Sequence, residues 1–148
     1  MCAESVGGIV VKPFGDTLGD HIAWLWSTGR FEEADWLARS SVERIRSQSQ
    51  TRPLVFDRHW ATMFSVLPQE YWAAWLPLPK TVVCHASPEV TMERLVARGE
   101  SPLTHEHHDH FDSVYRSLGE SRGALVLDTS INSPDESFSS VKTFLGLD

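Results

Sequence analysis

Four short runs of consecutive apolar residues punctuate an otherwise mixed chain: "GIVVKP" (8–13), "PLVFDR" (53–58), "TVVCHAS" (81–87) and "ALVLDTS" (124–130). None alternates apolar with polar, so each predicts a strand covered on both faces, and each stops in polar or turn-forming residues. The segments between them carry helical spacing. Leu18, Ile22, Leu25 and Trp26 share a face over 18–26, and Trp36, Leu37, Val42 and Ile45 recur along 31–48. The stretch "SPEVTMERLVARG" (87–99) opens with Ser87 as a cap, Pro88 in the first helical position and Glu89 behind it, then stops at Gly99. Residues 133–146 repeat that grammar, with Ser133, Pro134 and two acids ahead of an apolar stripe that ends at Gly146. "MCAESVGG" at the start reads as a helix end with a glycine stop. Strands alternating with helices predict an α/β fold, a parallel sheet flanked by helices and joined by right-handed crossovers.

A length of 148 residues suits one domain, 1–148, with one core. Apolar residues make up 41% and charged residues 22%, which excludes a disordered chain. The formal net charge of −7 argues against a broad grip on nucleic acid, although a locally basic pocket for a small phosphate is compatible with it. Cys2 and Cys84 make no disulfide framework and fit a reducing compartment. With no apolar run of membrane-spanning length and no basic-then-apolar leader, the expectation is a soluble, cytoplasmic protein. One irregular segment, "GESPLTHEHHDHFD" (99–112), is polar and histidine-rich and reads as a lid-like insertion or a disordered excursion. Most of the six tryptophans are assigned to core or helix packing.

In an open parallel sheet, ligands sit beyond the carboxyl ends of the strands. Lys12, Asp57, Arg58 and Asp128 all fall at that edge. Asp57 suits a metal-water contact or a hydroxyl to be oriented or deprotonated, and Arg58 suits bidentate phosphate binding. The alternative is a set of strand ends that simply meet solvent. Arg94 and Arg98 lie at i, i+4 beside the lid-like segment, where they could meet a phosphate; a solvated face with Glu93 is the plainer reading. "HEHHDH" (105–110) offers histidines on a helical face, but no further Cys/His pair at ligand spacing completes a zinc set, so no metal site is assigned. Trp36 followed one turn on by Arg39 pairs an aromatic face with a guanidinium, a combination that could hold a nucleobase.

In series these pieces resemble the thymidylate kinase family of P-loop nucleoside monophosphate kinases. "KPFGDTLGDHI" (12–22) looks like that family's segment after its second strand, which helps hold the acceptor phosphate. "VFDRHW" (55–60) looks like its Asp-Arg-Tyr/His motif, and "ASPEVTMERLVARGE" (86–100) like its Ser-Pro-Glu segment leading into the lid. "LVLDTSINSPDES" looks like its final strand and the loop near the adenine. The resemblance implies a catalytic and acceptor site of Asp57, Arg58, Arg94 and Arg98. It further implies substrate contacts from Lys12, Phe14, Gly15, Trp36, Arg39 and His59. It implies ATP and Mg2+ as cofactors, a nucleoside monophosphate as substrate, and a second copy of the chain as a candidate partner.

Two departures accompany that resemblance. The lid carries histidines where arginines or acids are common. The motif G-x-x-x-x-G-K-[ST] occurs nowhere in the 148 residues. The expectation is therefore a chain that starts where the family's first helix ends, without the central first strand and the phosphate loop. Its complete form would transfer a phosphoryl group from ATP to a nucleoside monophosphate such as dTMP. The alternative is a non-catalytic, nucleotide-binding or interaction remnant of that family, and a third reading, a histidine-rich metal binder, rests on "HEHHDH" alone.

Overall fold

In the computed structural model, which describes residues 7–48, 51–57, 61–100 and 104–147, all four apolar runs form strands. Strand β1 (Ile9–Val11) lies parallel to β2 (Leu54–Phe56) with Val10 opposite Val55. Strand β3 (Val82–His85) lies parallel to β4 (Leu125–Asp128) with His85 opposite Asp128. These are two separate two-stranded sheets, not one continuous sheet. The chain divides into two compact units, Met1–Pro77 and Leu78–Asp148. Each unit holds one strand pair together with its crossover, because parallel strands need a long connection and here each connection is a local pair of helices.

In the first unit, helices α1 (Asp16–Ser27) and α2 (Phe31–Gln48) bridge β1 to β2, and α3 (Ala61–Val66) and a 3-10 helix (Gln69–Trp75) follow. The core gathers Ile22 and Leu25 from α1, Ala34, Ala38 and Val42 from α2, Met63 and Phe64 from α3, and Trp75. The face that α2 buries thus runs through two alanines four residues apart, and α1 and α2 pack on each other. Trp36 lies off that face and is 65% exposed. Trp24 and Trp26 are exposed as well, so the assignment of most tryptophans to core or helix packing is corrected for these two. Trp60 lies outside the described residues.

The strands are also less covered than their apolar runs predict. Leu54, Val55 and Phe56 are all half-buried, and Val10 is 55% exposed. A pair of strands leaves one edge of each unpaired, and a single crossover cannot roof both faces as the layers of a full parallel sheet do.

In the second unit, α4 (Pro88–Ala97), α5 (His105–Arg122) and α6 (Pro134–Leu145) surround β3 and β4, with Val83, Leu118 and Leu127 buried. Both capping patterns form as their sequences dictate. Ser87 accepts from the Val90 amide, and Ser133 and Glu136 make a reciprocal capping box. Gly146 closes α6 in the left-handed region at φ 75°, where a side chain would be strained. The segment 99–112 is not an irregular lid from His105 onward: residues 105–112 are the opening turns of α5. The apolar stripe of that helix begins only at Phe111 and continues through Val114, Tyr115 and Leu118, so its polar turns carry no periodic signal. Residues 101–103 lie outside the described residues.

Candidate ligand site

The parallel pairing of β1 and β2 sends both chains out of the sheet at the same edge. Lys12 leaves β1 and Asp57 leaves β2 there, and the Lys12 ammonium sits 3.3 Å from the Asp57 carboxylate. Their side chains are 68% and 51% exposed. An ion pair so open to water contributes roughly 0–1 kcal/mol, so exchanging one partner for a ligand group costs little.

Behind this pair lies an open cavity of about 700 Å³, entirely within the first unit. Lys12, Phe14 and Gly15 line it from the loop after β1, and Asp57 from the end of β2. Helix α1 contributes Gly19, Asp20, Ile22, Ala23 and Trp26, and α3 contributes Thr62, Met63 and Val66. The described charges on the wall are one cation and two carboxylates.

The loop from Lys12 to Gly15 is held from several sides. The Gly15 amide donates to the Lys12 carbonyl at 3.3 Å, closing a turn. Pro13 is fully buried, and the Ser41 hydroxyl on α2 donates to its carbonyl at 2.9 Å. The Phe14 ring meets Trp75 edge-on at 6.5 Å. Trp75 is anchored in turn, its indole N–H donating to Asp35 Oδ1 at 2.7 Å. The other oxygen of Asp35 accepts from Arg39 Nε at 2.8 Å. Gly19 lets α1 start directly beneath the loop, because a Cβ there would lie well inside contact distance of the Phe14 carbonyl oxygen.

Of the residues proposed from sequence, Lys12, Phe14, Gly15 and Asp57 therefore come together in one cavity. Arg58 and His59 lie outside the described residues. Trp36 and Arg39 do not line the cavity. Arg39 is committed to the buried carboxylate of Asp35, and Trp36 faces solvent. Sequence reasoning missed Asp20, Trp26, Thr62, Met63 and Val66. The signal for Trp26 was present: Gly15, Gly19, Ile22 and Trp26 follow one another at spacings of four, three and four, one stripe along a helix.

In the second unit, the two lid arginines have partners of their own. Arg94 donates to the Thr129 hydroxyl at 2.9 Å and to its carbonyl at 2.6 Å, clamping the turn after β4 onto α4. Arg98 pairs with Glu100 at 3.1 Å. At the carboxyl edge of this sheet the His85 ring lies between two carboxylates, with Nδ1 3.6 Å from Asp112 and Nε2 3.6 Å from Asp128. Asp128 titrates below the usual carboxylate range, chiefly because the Ser130 amide donates to it, against the opposing effect of partial burial. Among the described residues, no three His, Cys, Asp or Glu side chains form a set able to hold a metal ion. No described helix is long and apolar enough to cross a membrane. No protein-family model, curated protein or solved structure matches this chain.

Proposed function

We propose that the first unit is the acceptor-nucleotide site of a thymidylate-kinase-like protein, binding a nucleoside monophosphate with its phosphate at Lys12. The observation that carries this reading is the meeting of Lys12 and Asp57. They stand far apart in sequence, yet parallel neighbouring strands deliver them to the mouth of one cavity. The sequence resemblance supports the same assignment, since both residues fall in its motifs. In this reading Lys12 leaves Asp57 for the acceptor phosphate, and Asp57 orients the phosphate-side groups through its freed carboxylate. The sequence resemblance also assigns the adjacent Arg58 to that phosphate.

The resemblance also implies magnesium and ATP. Magnesium takes one or two carboxylates beside waters and phosphate oxygens. Asp57, with Asp20 on the same cavity wall, fits that partial set and would be the residue to hold it. Bound there, the ion would neutralise charge on the transferring group. For the β and γ phosphates of ATP the 148 residues provide no glycine-rich loop followed by Lys and Ser/Thr, so they do not fit that part of the cofactor. The second reading, nucleotide binding without catalysis, is favoured by this mismatch and by the engagement of Arg94 and Arg98 with Thr129 and Glu100.

Calorimetric titration with the common nucleoside monophosphates, paired with a coupled assay for ADP release, tests both. Saturable binding that weakens at least tenfold in Lys12→Ala supports the acceptor site. Absence of binding to every monophosphate refutes it. Binding without turnover selects the non-catalytic reading, whereas turnover lost in Asp57→Ala selects the kinase.

A further inference from the structure

Three exposed tryptophans lie on α1 and α2, and only one of them faces the cavity. Trp24 already has ring partners, with the Arg30 guanidinium 5.4 Å over its ring and the His21 ring 5.9 Å away. Trp36 stands on the solvent side of α2. Trp26 lines the cavity and is 41% exposed. Among the described residues no ring or cation is stacked against it. A part-exposed indole in the lining of a concave site is a surface for a flat partner, since aromatic rings gain from stacking beyond the area they bury.

Lys12 and Asp57 stand at the strand ends of the cavity, whereas the two helices line it with Asp20 and Thr62 and with the apolar Ile22, Ala23, Trp26 and Val66. Along α1 the lining runs from Gly15 to Trp26, roughly 16 Å at the rise of an α-helix. A bare phosphate or a sugar phosphate anchored at Lys12 would leave the Trp26 end to water. A ligand with a planar ring at its far end would fill it.

We propose that Trp26, and not Trp36, is the aromatic platform of this site, and that it selects phosphorylated ligands whose body is a planar heteroaromatic ring. This rests on the reading of the cavity as a monophosphate site and adds the part of the ligand that α1 recognises. Trp26 stacks on the ring, the neighbouring apolar wall excludes water from its edges, and Lys12 holds the anion.

The test is calorimetry on the full chain with uridine 5′-monophosphate, its non-planar 5,6-dihydro analogue, and ribose 5-phosphate. The planar nucleotide is expected to bind about tenfold to a hundredfold more tightly than ribose 5-phosphate, the range associated with stacking on an aromatic side chain. The dihydro analogue, which has lost its flat ring, should fall towards the sugar phosphate without any change to the protein. Trp26→Leu should abolish the preference, Trp26→Phe should retain most of it, and Trp36→Leu should leave it intact. Lys12→Ala should weaken all three ligands in parallel. A preference unchanged in Trp26→Leu, or lost in Trp36→Leu, overturns the platform while leaving the monophosphate site standing. Equal, Lys12-dependent binding of all three ligands overturns the ring selectivity alone. Failure of any ligand to bind overturns the underlying site and this inference with it.

Discussion

Removing the Asp35 carboxylate should loosen the candidate site from beneath. Asp35 is 3% exposed and sits on α2, where one oxygen receives the Trp75 indole N–H at 2.7 Å and the other receives Arg39. In Asp35→Ala the Trp75 donor stays buried without an acceptor, a cost of about 1–3 kcal/mol. Loss of the hydrogen-bonded charge pair adds about 1 kcal/mol, held down because Arg39, with its side chain 41% exposed, regains water. The sum is about 2–4 kcal/mol, a large part of the stability of a small unit. Urea unfolding followed by circular dichroism measures it. A double-mutant cycle with Trp75→Phe isolates the indole bond, because removing the donor as well should recover about 1–2 kcal/mol of the expected sum. The same variant should weaken monophosphate binding, since Trp75 supports Phe14 in the loop that carries Lys12. A loss below about 0.5 kcal/mol in Asp35→Ala, the level of an ordinary surface change, would refute the buried network. So would strict additivity in the cycle.

Gly19→Ala is expected to cost about 1–3 kcal/mol, because the new methyl meets the Phe14 carbonyl and neither backbone can move aside freely. Thermal melting shows this directly, and wild-type stability in the variant would mean that α1 does not start so close to the loop. Ser133→Ala should cost about 1 kcal/mol near neutral pH through loss of the cap. The Ser133 hydroxyl and amide hold Glu136 below its ordinary value of 4.5. A carboxylate whose folded value is lowered contributes stability that is present above the unfolded value and lost as pH falls through the folded one. The difference between wild type and Ser133→Ala should therefore narrow as pH drops below about 4.5. Denaturant melts at pH 7 and pH 3 should show it, and an equal or wider gap in acid would contradict the reciprocal cap.

The sequence alone determined the local elements. Continuous β-branched runs can only be satisfied by strand pairing, and Ser-Pro-acid openings with glycine stops define helix ends through hydrogen bonds made within a few residues. The edge position of Lys12 and Asp57 was legible for the same reason, because charges directly after an apolar run emerge where the strand ends. Longer-range geometry decided the rest. Which face of α2 is buried was settled by packing against elements elsewhere in the unit, which buries Ala34 and Ala38 and leaves the larger Trp36 exposed. Arg39 looked available for a ligand until the fold brought Trp75 and Asp35 together across 40 residues and tied the guanidinium to that carboxylate. Trp26 became a wall of the cavity only because β1 and β2 pair in parallel and set α1 and α3 around one opening. A helical stripe specifies which residues share a face, but what that face meets is settled by the packing of elements distant in sequence.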